Sequence, residues 1–330
     1  MPTMKDVAEL AGVSVATVSR VLNAPETVQK ETRQKVYDTV SSLGYELNQL
    51  GRSLRRQSSG LVTVMLSTVA NDYYAKVVKG IEEEGRGKGY NVMLCAMQDE
   101  YAVETVYINL LKSRLVDGVI FLNTTLPAEE FALLGRQFAI VQCGEYLEGT
   151  GVPIVTIDHR AAACAAVLHL GRKRHRIALI SAGNSAISTR LRREGYLQAL
   201  EALGIPFQPA YVIEGNYGYG SGYAAAERLL ALPEPPDAIF AISDRMAVGA
   251  IKCLTEKGLK VPEDVAVVGF DNTMITRVYN PTVTTVSQSQ KRMGQKAMQI
   301  LADRLAGKFA PEKVTVPHEI IVRASTNWPL

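Results

Sequence analysis

The sequence predicts an α/β protein in which an N-terminal three-helix, helix-turn-helix headpiece precedes two doubly wound parallel-sheet subdomains. Three observations carry that prediction. Residues 4–23 hold two short amphipathic segments on either side of a glycine. From residue 61 apolar runs alternate with amphipathic segments, and the rhythm restarts after Asp158. At 330 residues, 47% of them hydrophobic, the chain has the length of about two to three domains and can bury a substantial core.

In the first segment Val7, Ala8 and Ala11 recur at helical spacing, and in the second Val18, Val21 and Leu22 do the same. Gly12 between them can adopt the left-handed conformation that closes one helix, and Ser14 can cap the next by accepting from its free N–H groups. Two short helices joined in this way form a helix-turn-helix, whose second helix enters the DNA major groove. With its apolar residues turned inward, that helix leaves Val15, Ala16, Thr17, Ser19 and Arg20 outside. The hydroxyls of Ser14, Thr17 and Ser19 suit phosphates, Arg20 can reach a base edge or the backbone, and Val15 and Ala16 offer apolar contact to a thymine methyl. A third helix is expected over residues 30–43, with Val36, Val40 and Leu43 as its stripe and Gly44 as its stop.

Residues 46–59 begin weakly helical and end as a polar linker. Gly51 costs a helix about 1 kcal/mol relative to alanine, so a short helix here needs outside support, and the segment suits folding on DNA. The net charge of +3 is mild, which makes any nucleic-acid surface local; Arg52, Arg55 and Arg56 add phosphate attraction there.

Strands are expected at 61–66, 91–97, 116–122, 138–141 and 154–157, separated by helices near 74–88, 101–114 and 127–136. The second round has helices at 161–170, 190–203, 221–230 and 246–257, with strands at 176–180, 211–213, 238–242 and 265–270. A last helix, 293–305, and a last strand, 319–323, complete it. Near-continuous apolar strands between helices imply parallel sheets covered on both faces. Ligands in such folds sit at the C-terminal ends of strands. The loops of interest are therefore 67–74, 98–100, 142–146, 158–159, 181–193, 215–219, 243–246 and 271–273, rich in Tyr, Asp, Glu, Asn and Arg. Tyrosines with carboxylates suit a polyhydroxy ligand carrying a flat face, such as a sugar or nucleoside.

Other chemistry lacks support. Gly220-x-Gly222-x-x-Ala225 follows a strand, but it lies mid-chain and is crowded by Tyr217 and Tyr219, so it is a poor dinucleotide fingerprint. Cys95, Cys143, Cys164 and Cys253 are scattered, and the four histidines pair with no nucleophile motif; neither a metal, a cofactor nor a catalytic residue is expected. No leader or apolar run of membrane length is found, so the expected location is the cytoplasm, with no membrane partner. A solute-binding protein would share the two-lobed plan, but the headpiece argues against it.

Lys5-Asp6-Val7-Ala8, Ala11-Gly12-Val13-Ser14-x-x-Thr17-Val18-Ser19-Arg20-Val21, Thr32-Arg33 and Leu43-Gly44-Tyr45 resemble the headpiece of the LacI/GalR family of bacterial transcription repressors. Ser243-Asp244-x-Met246-Ala247-x-Gly249, Val261-Pro262-Glu263-Asp264, Val268-Gly269-Phe270-Asp271 and Thr284-Thr285-Val286 match its periplasmic-binding-protein-like effector domain. The resemblance implies a homodimeric repressor of a pseudopalindromic double-stranded operator, controlled by a small molecule in a cleft. It implies a headpiece over 1–45, a hinge over 46–59 and an effector domain over 60–330. Within the last, one subdomain takes 60–158 with 289–317, the other 159–288 with 318–330.

By the same resemblance Val15, Ala16 and Arg20 read bases, and Leu54 is a minor-groove wedge. Ser14, Thr17, Ser19, Asn23, Thr32 and Asn48 fall on phosphate-holding positions. Leu47 and Gly51 depart from the family's usual proline and alanine. Arg192, Asp271 and Tyr217 fall on ligand-binding positions, Ser243 replaces a frequent asparagine, and Tyr73 and Tyr74 lie in a loop more polar than the family's. Gln49-Leu50-Gly51-Arg52-Ser53-Leu54-Arg55-Arg56, Gly144-Glu145-Tyr146 and Leu232-Pro233-Glu234-Pro235-Pro236 look most like cytidine-type repressors, which adds Glu145 and Tyr146 to the pocket and makes a nucleoside the first expected effector. The terminal Trp328-Pro329-Leu330 shows no heptad extension of the kind that would build tetramers.

Overall fold

The computed structural model describes residues 2–45, 58–98 and 100–327, in two units, Met1–Ser59 and Gly60–Leu330. The first unit holds α1 (Met4–Ala11), α2 (Val15–Asn23) and α3 (Lys30–Leu43). Thr3 and Asp6 form a reciprocal capping box at the start of α1. Gly12 takes φ 65° and ends that helix, a conformation that costs a Cβ-bearing residue about 1–2 kcal/mol. Two residues later Ser14 Oγ accepts from Thr17 N at 3.1 Å and starts α2. Val7, Ala8, Ala11, Val18, Val21 and Val36 are buried together, and Tyr45 closes the cluster behind Gly44, an addition the helical stripe of α3 does not reveal.

The second unit contains two six-stranded sheets. Strands β1 (Leu61–Leu66), β2 (Asn91–Ala96), β3 (Gly118–Phe121), β4 (Ile140–Cys143), β5 (Ile154–Thr156) and β11 (Lys313–Thr315) form the first, in the order β11-β5-β4-β3-β1-β2. Strands β6 (Ile177–Ala182), β7 (Val212–Gly215), β8 (Ala238–Ala241), β9 (Ala266–Phe270), β10 (Thr284–Ser287) and β12 (Glu319–Ile321) form the second, in the order β12-β10-β9-β8-β6-β7. The first is covered by α4 (Asp72–Gly87), α5 (Tyr101–Lys112), α6 (Ala128–Gln137) and α12 (Gln290–Leu305); around the second lie α7 (His159–Leu170), α8 (Ile187–Leu203), α9 (Tyr219–Leu230), α10 (Asp244–Glu256) and the single turn α11 (Ile275–Val278).

The chain passes between the sheets three times, at residues 157–158, 288–289 and 316–318. Val316 N donates to Thr156 O at 2.7 Å and Ser289 Oγ to Pro317 O at 3.0 Å, so the crossings are bonded to one another. These passages explain a departure from the all-parallel expectation. β11 runs parallel to β5 toward the crossing, so β12 enters the second sheet from the crossing end and pairs antiparallel to β10. The three-residue link carries the chain on in the same direction.

Three helix pairs approach through glycine. A Cβ on Gly294 of α12 would lie 2.0 Å from Val77 O of α4, one on Gly222 of α9 would lie 2.1 Å from Met246 O of α10, and one on Gly195 of α8 would lie 2.2 Å from Arg160 O of α7. Gly222 is thus a packing residue between two helices, which accounts for that glycine without a dinucleotide.

Candidate functional site

On the headpiece, Ser14, Val15, Ala16, Arg20 and Asn23 are exposed, while Thr17, Ser19 and Thr32 are half-buried. The hydroxyls are already ordered within the helix: Ser14 Oγ lies 2.9 Å from Thr17 Oγ1, and Asn23 Nδ2 donates to Ser19 O at 2.7 Å. α2 therefore presents one apolar pair, one free guanidinium and a fixed polar edge. Asn48 and Leu54, like most of the 46–59 segment, lie outside the described residues.

In the second unit a cleft of about 810 Å³ opens between the C-terminal ends of the two sets of parallel strands. Its wall takes residues from the loops after β1, β3, β4 and β5 on one side and after β6, β7, β8, β9 and β10 on the other, as expected for ligand sites in parallel α/β folds. Tyr73, Tyr74, Glu145, Tyr146, Arg192, Tyr217 and Asp271 all line it. Ser243 does not. Its Oγ caps α10 by accepting from Met246 N at 3.3 Å and donates to Tyr217 O at 3.3 Å, so its work is to position Tyr217. Gln98 and Glu100, after the edge strand β2, are also absent from the wall.

The electrostatic centre is Arg192, on α8 and only 4% exposed. Its guanidinium stacks 3.8 Å from the Phe270 ring centroid, Nη1 donates to Ile242 O at 2.6 Å, and Nε donates to His159 Nδ1 at 3.4 Å. Asp271 Oδ1 is 3.9 Å from Nη2, an ion pair without hydrogen-bond contact. Burial pushes the Asp271 carboxyl up to about 6 against the downward pull of Arg192. Gln288 Nε2 donates to Asp271 Oδ1 at 2.5 Å, and Gln290 Nε2 reaches its carbonyl oxygen.

The backbone here is strained. Asp271 has φ 109°, Asn272 φ 50° and Tyr217 φ 64°, and non-glycine residues in this region cost about 1–3 kcal/mol each, a cost that clusters at functional sites. Asp244, only 1% exposed, braces the loop by accepting from Thr273 N at 2.6 Å, Thr273 Oγ1 at 2.8 Å and Thr285 Oγ1 at 2.5 Å. Its burial, with Asp271 nearby, pushes it up to about 7.

Several contacts span the cleft. Glu145, after β4, accepts from Ser188 N at 3.2 Å and from Ser188 Oγ at the start of α8. Lys76 of α4 donates to Asn272 O, and Arg190 pairs with Glu148 at 2.9 Å. The last is exposed on both sides and adds about 0–1 kcal/mol. Tyr146 is held within the first lobe, with Lys313 Nζ 4.9 Å from its ring centroid. Tyr73 projects its phenol over Gly144, where a Cβ would lie 2.7 Å from the hydroxyl; burial raises that phenol well above its ordinary range.

Sequence reasoning missed several wall residues. Residues 122–125 follow β3 and lie outside the loops of interest, and Gln288 follows β10, whose Thr-rich sequence does not read as an apolar strand. Glu104, fully buried in α5, carries the first of these loops: Thr124 Oγ1 donates to its Oε1, and Thr125 N and Oγ1 donate to its Oε2 at 2.7 and 2.6 Å. His159 lies in one of the loops of interest, but its chemistry emerges only from its neighbours.

Among the described residues no helix is long and apolar enough to cross a membrane, and no group of three or more His, Cys, Asp or Glu could hold a metal ion. All four cysteines are free, and burial alone pushes the Cys143 thiol up to about 12.

Residues 3–48 match the family described as bacterial regulatory proteins, lacI family, and residues 167–326 match the periplasmic binding protein-like domain. The HTH-type transcriptional repressor CytR of Escherichia coli strain K12 is 35% identical over 330 residues, covering 98% of this chain and 96% of the relative. Catabolite control protein A of Priestia megaterium is 35% identical over 329 residues, covering 98% and 99%. The crystal structure of the lac repressor dimer bound to operator and the anti-inducer ONPF superposes with a TM-score of 0.89 at 27% identity, over 98% of this chain and 99% of that one. With a capped helix-turn-helix, a two-lobed core and end-to-end similarity of this kind, the chain belongs to the LacI family: it is a DNA-binding transcriptional regulator under small-molecule control, and not an enzyme.

Proposed function

We propose that the chain is a cytoplasmic repressor that binds a pseudopalindromic operator as a homodimer and answers to a nucleoside such as cytidine. One headpiece supplies few base contacts, so specific affinity calls for two, and a two-fold pair of headpieces reads a two-fold site. Residues 1–45 form the reader, 46–59 the hinge and 60–330 the sensor. Val15, Ala16 and Arg20 contact bases, with Leu54 as the wedge; Ser14, Thr17, Ser19, Asn23, Thr32 and Asn48 hold phosphates.

The observation that carries the effector reading is the buried Arg192–Asp271 pair under a cleft lined by Tyr73, Tyr74, Tyr146 and Tyr217. Hydroxyls of a ribose suit the charged pair, and a flat base suits the phenol rings. The resemblance to CytR supports a nucleoside over a free sugar. Bound ligand favours whichever relative angle of the lobes it fits better, and that preference is the coupling to DNA.

Thermal unfolding against a panel of nucleosides, pentoses, hexoses and purine bases tests this. A ligand at 100 times its dissociation constant adds about 2.7 kcal/mol, a readily measured shift. A shift with cytidine is the expected result; a shift with a hexose alone reassigns the effector class. On the DNA side, Arg20→Ala is expected to cost about 1–3 kcal/mol of operator affinity and to relax preference at one base pair. A uniform loss over all sequences, measured by titration against single-base operator variants, would place Arg20 on the backbone.

A further inference from the structure

Four polar side chains, three of them buried and Asp271 nearly so, stand in a row on the cleft wall: His159, Arg192, Asp271 and Gln288. The two ends of the row lack partners. His159 is 1% exposed and Gln288 is fully buried, and among the described residues His159 Nε2 and Gln288 Oε1 have no hydrogen-bond partner. The inner contacts fix what each end offers. Arg192 can only donate, so His159 Nδ1 is an acceptor, and the ring proton must sit on Nε2. Burial and the adjacent guanidinium keep the imidazole neutral, well below its ordinary range. At the other end, the Asp271 carboxylate accepts from the Gln288 amide nitrogen, which leaves the amide oxygen as the open acceptor.

A buried donor or acceptor without a partner is costly, and such groups in a native structure call for an occupant. Here one is a donor and one an acceptor, and both residues line the cleft. A hydroxyl can accept from the first or donate to the second. We infer that His159 Nε2–H and Gln288 Oε1 are direct contacts to the effector's hydroxyls, added to the Arg192–Asp271 pair, and that they select a hydroxyl-rich ligand over a deoxy one. The inference rests on the effector reading above and deepens it. His159 follows the crossing at 157–158 and Gln288 lies in the crossing at 288–289, so the ligand bonds at or beside two of the segments that join the lobes.

The test uses the full-length protein with cytidine, 2′-deoxycytidine and 3′-deoxycytidine, measured by titration calorimetry on wild type, His159→Asn and His159→Gln. Asparagine keeps a polar group near the Nδ1 position and lacks one at Nε2, whereas glutamine carries an amide N–H out to the Nε2 position. His159→Asn is expected to weaken cytidine binding by about 10- to 100-fold, and His159→Gln to restore much of it. The deoxy analogue that lacks the contacted hydroxyl should bind both variants and wild type alike. Cytidine binding unchanged in both variants would overturn the inference, assigning the open Nε2–H to a buried water. Loss in His159→Gln with retention in His159→Asn would also overturn it, making His159 a positioning residue for Arg192. If cytidine fails on wild type but a sugar from the panel binds, the nucleoside reading falls and the same variants decide this inference with that sugar. If nothing binds wild type, both fall.

Discussion

Replacing Arg192 with alanine is expected to abolish the effector response, lowering ligand affinity by about 100-fold or more while leaving operator binding in place. The guanidinium is buried, stacked on Phe270 and bonded to Ile242 O and His159 Nδ1, so its removal deletes one cation and strands three groups. Ile242 O and His159 Nδ1 lose their donor. Asp271, whose carboxyl is raised by burial and lowered chiefly by Arg192, with Gln288 and Lys76, would rise further. Breaking a buried pair by removing one partner costs about 3–5 kcal/mol, so a lower unfolding midpoint should accompany the loss. Arg192→Lys should recover little, because lysine keeps the charge but neither the planar stack nor the fork. Operator titrations with and without ligand check this: a variant still released or recruited by ligand as wild type is would remove Arg192 from the effector site.

Gly294→Ala should be among the most destabilising single-methyl changes in the chain. The new Cβ would fall 2.0 Å from Val77 O and 2.9 Å from Ile81 N. Both are backbone atoms of α4, so no side-chain rotation can relieve the clash and the helices must part. Overpacking of this kind costs about 3 kcal/mol, or more where the neighbour cannot yield, equivalent to a fall of about 6 °C or more in a domain this large. Gly220→Ala is the matched control: it lies in α9 with nothing within 4 Å of its Cβ, and helix propensity alone should leave it neutral or slightly stabilised. Equal midpoints for the two variants would show that α4 and α12 are not in close register.

Much of the architecture is legible in the sequence because its strands are buried on both faces. Runs such as Ala238–Ala241 and Ala266–Phe270 are apolar without interruption, and they announce themselves by hydrophobicity alone. The helix-turn-helix is legible because Gly12 and Ser14 occupy fixed offsets with fixed physical tasks. β10 and β11 are hidden for the opposite reason: Thr284–Ser287 and Lys313–Thr315 are short and mostly polar, and only their places in the sheets make them strands. The antiparallel β12 depends on the length of the link before it rather than on its residues. At the site, charge and aromatic character mark Arg192, Asp271 and Tyr217, but Ser243 is turned to capping by its position at the start of α10. His159 and Gln288 gain meaning only from partners 33 and 17 residues away along the chain, at Arg192 and Asp271.

The three crossings also impose an order on synthesis. The headpiece is contiguous and can fold as soon as it leaves the ribosome. Five of the six strands of the second sheet lie between residues 177 and 287, so that lobe is nearly complete when residue 287 has emerged. The first lobe begins earlier in the chain yet must wait longer, because α12 and β11 belong to it. Leu301 fills the space that Gly118 leaves on β3, and Gly294 seats against α4. Until those residues are made, a row of strands translated some two hundred residues before has one face uncovered, and nascent chains with such faces are prone to aggregate. The lobe that is begun first waits longest for its covering helix.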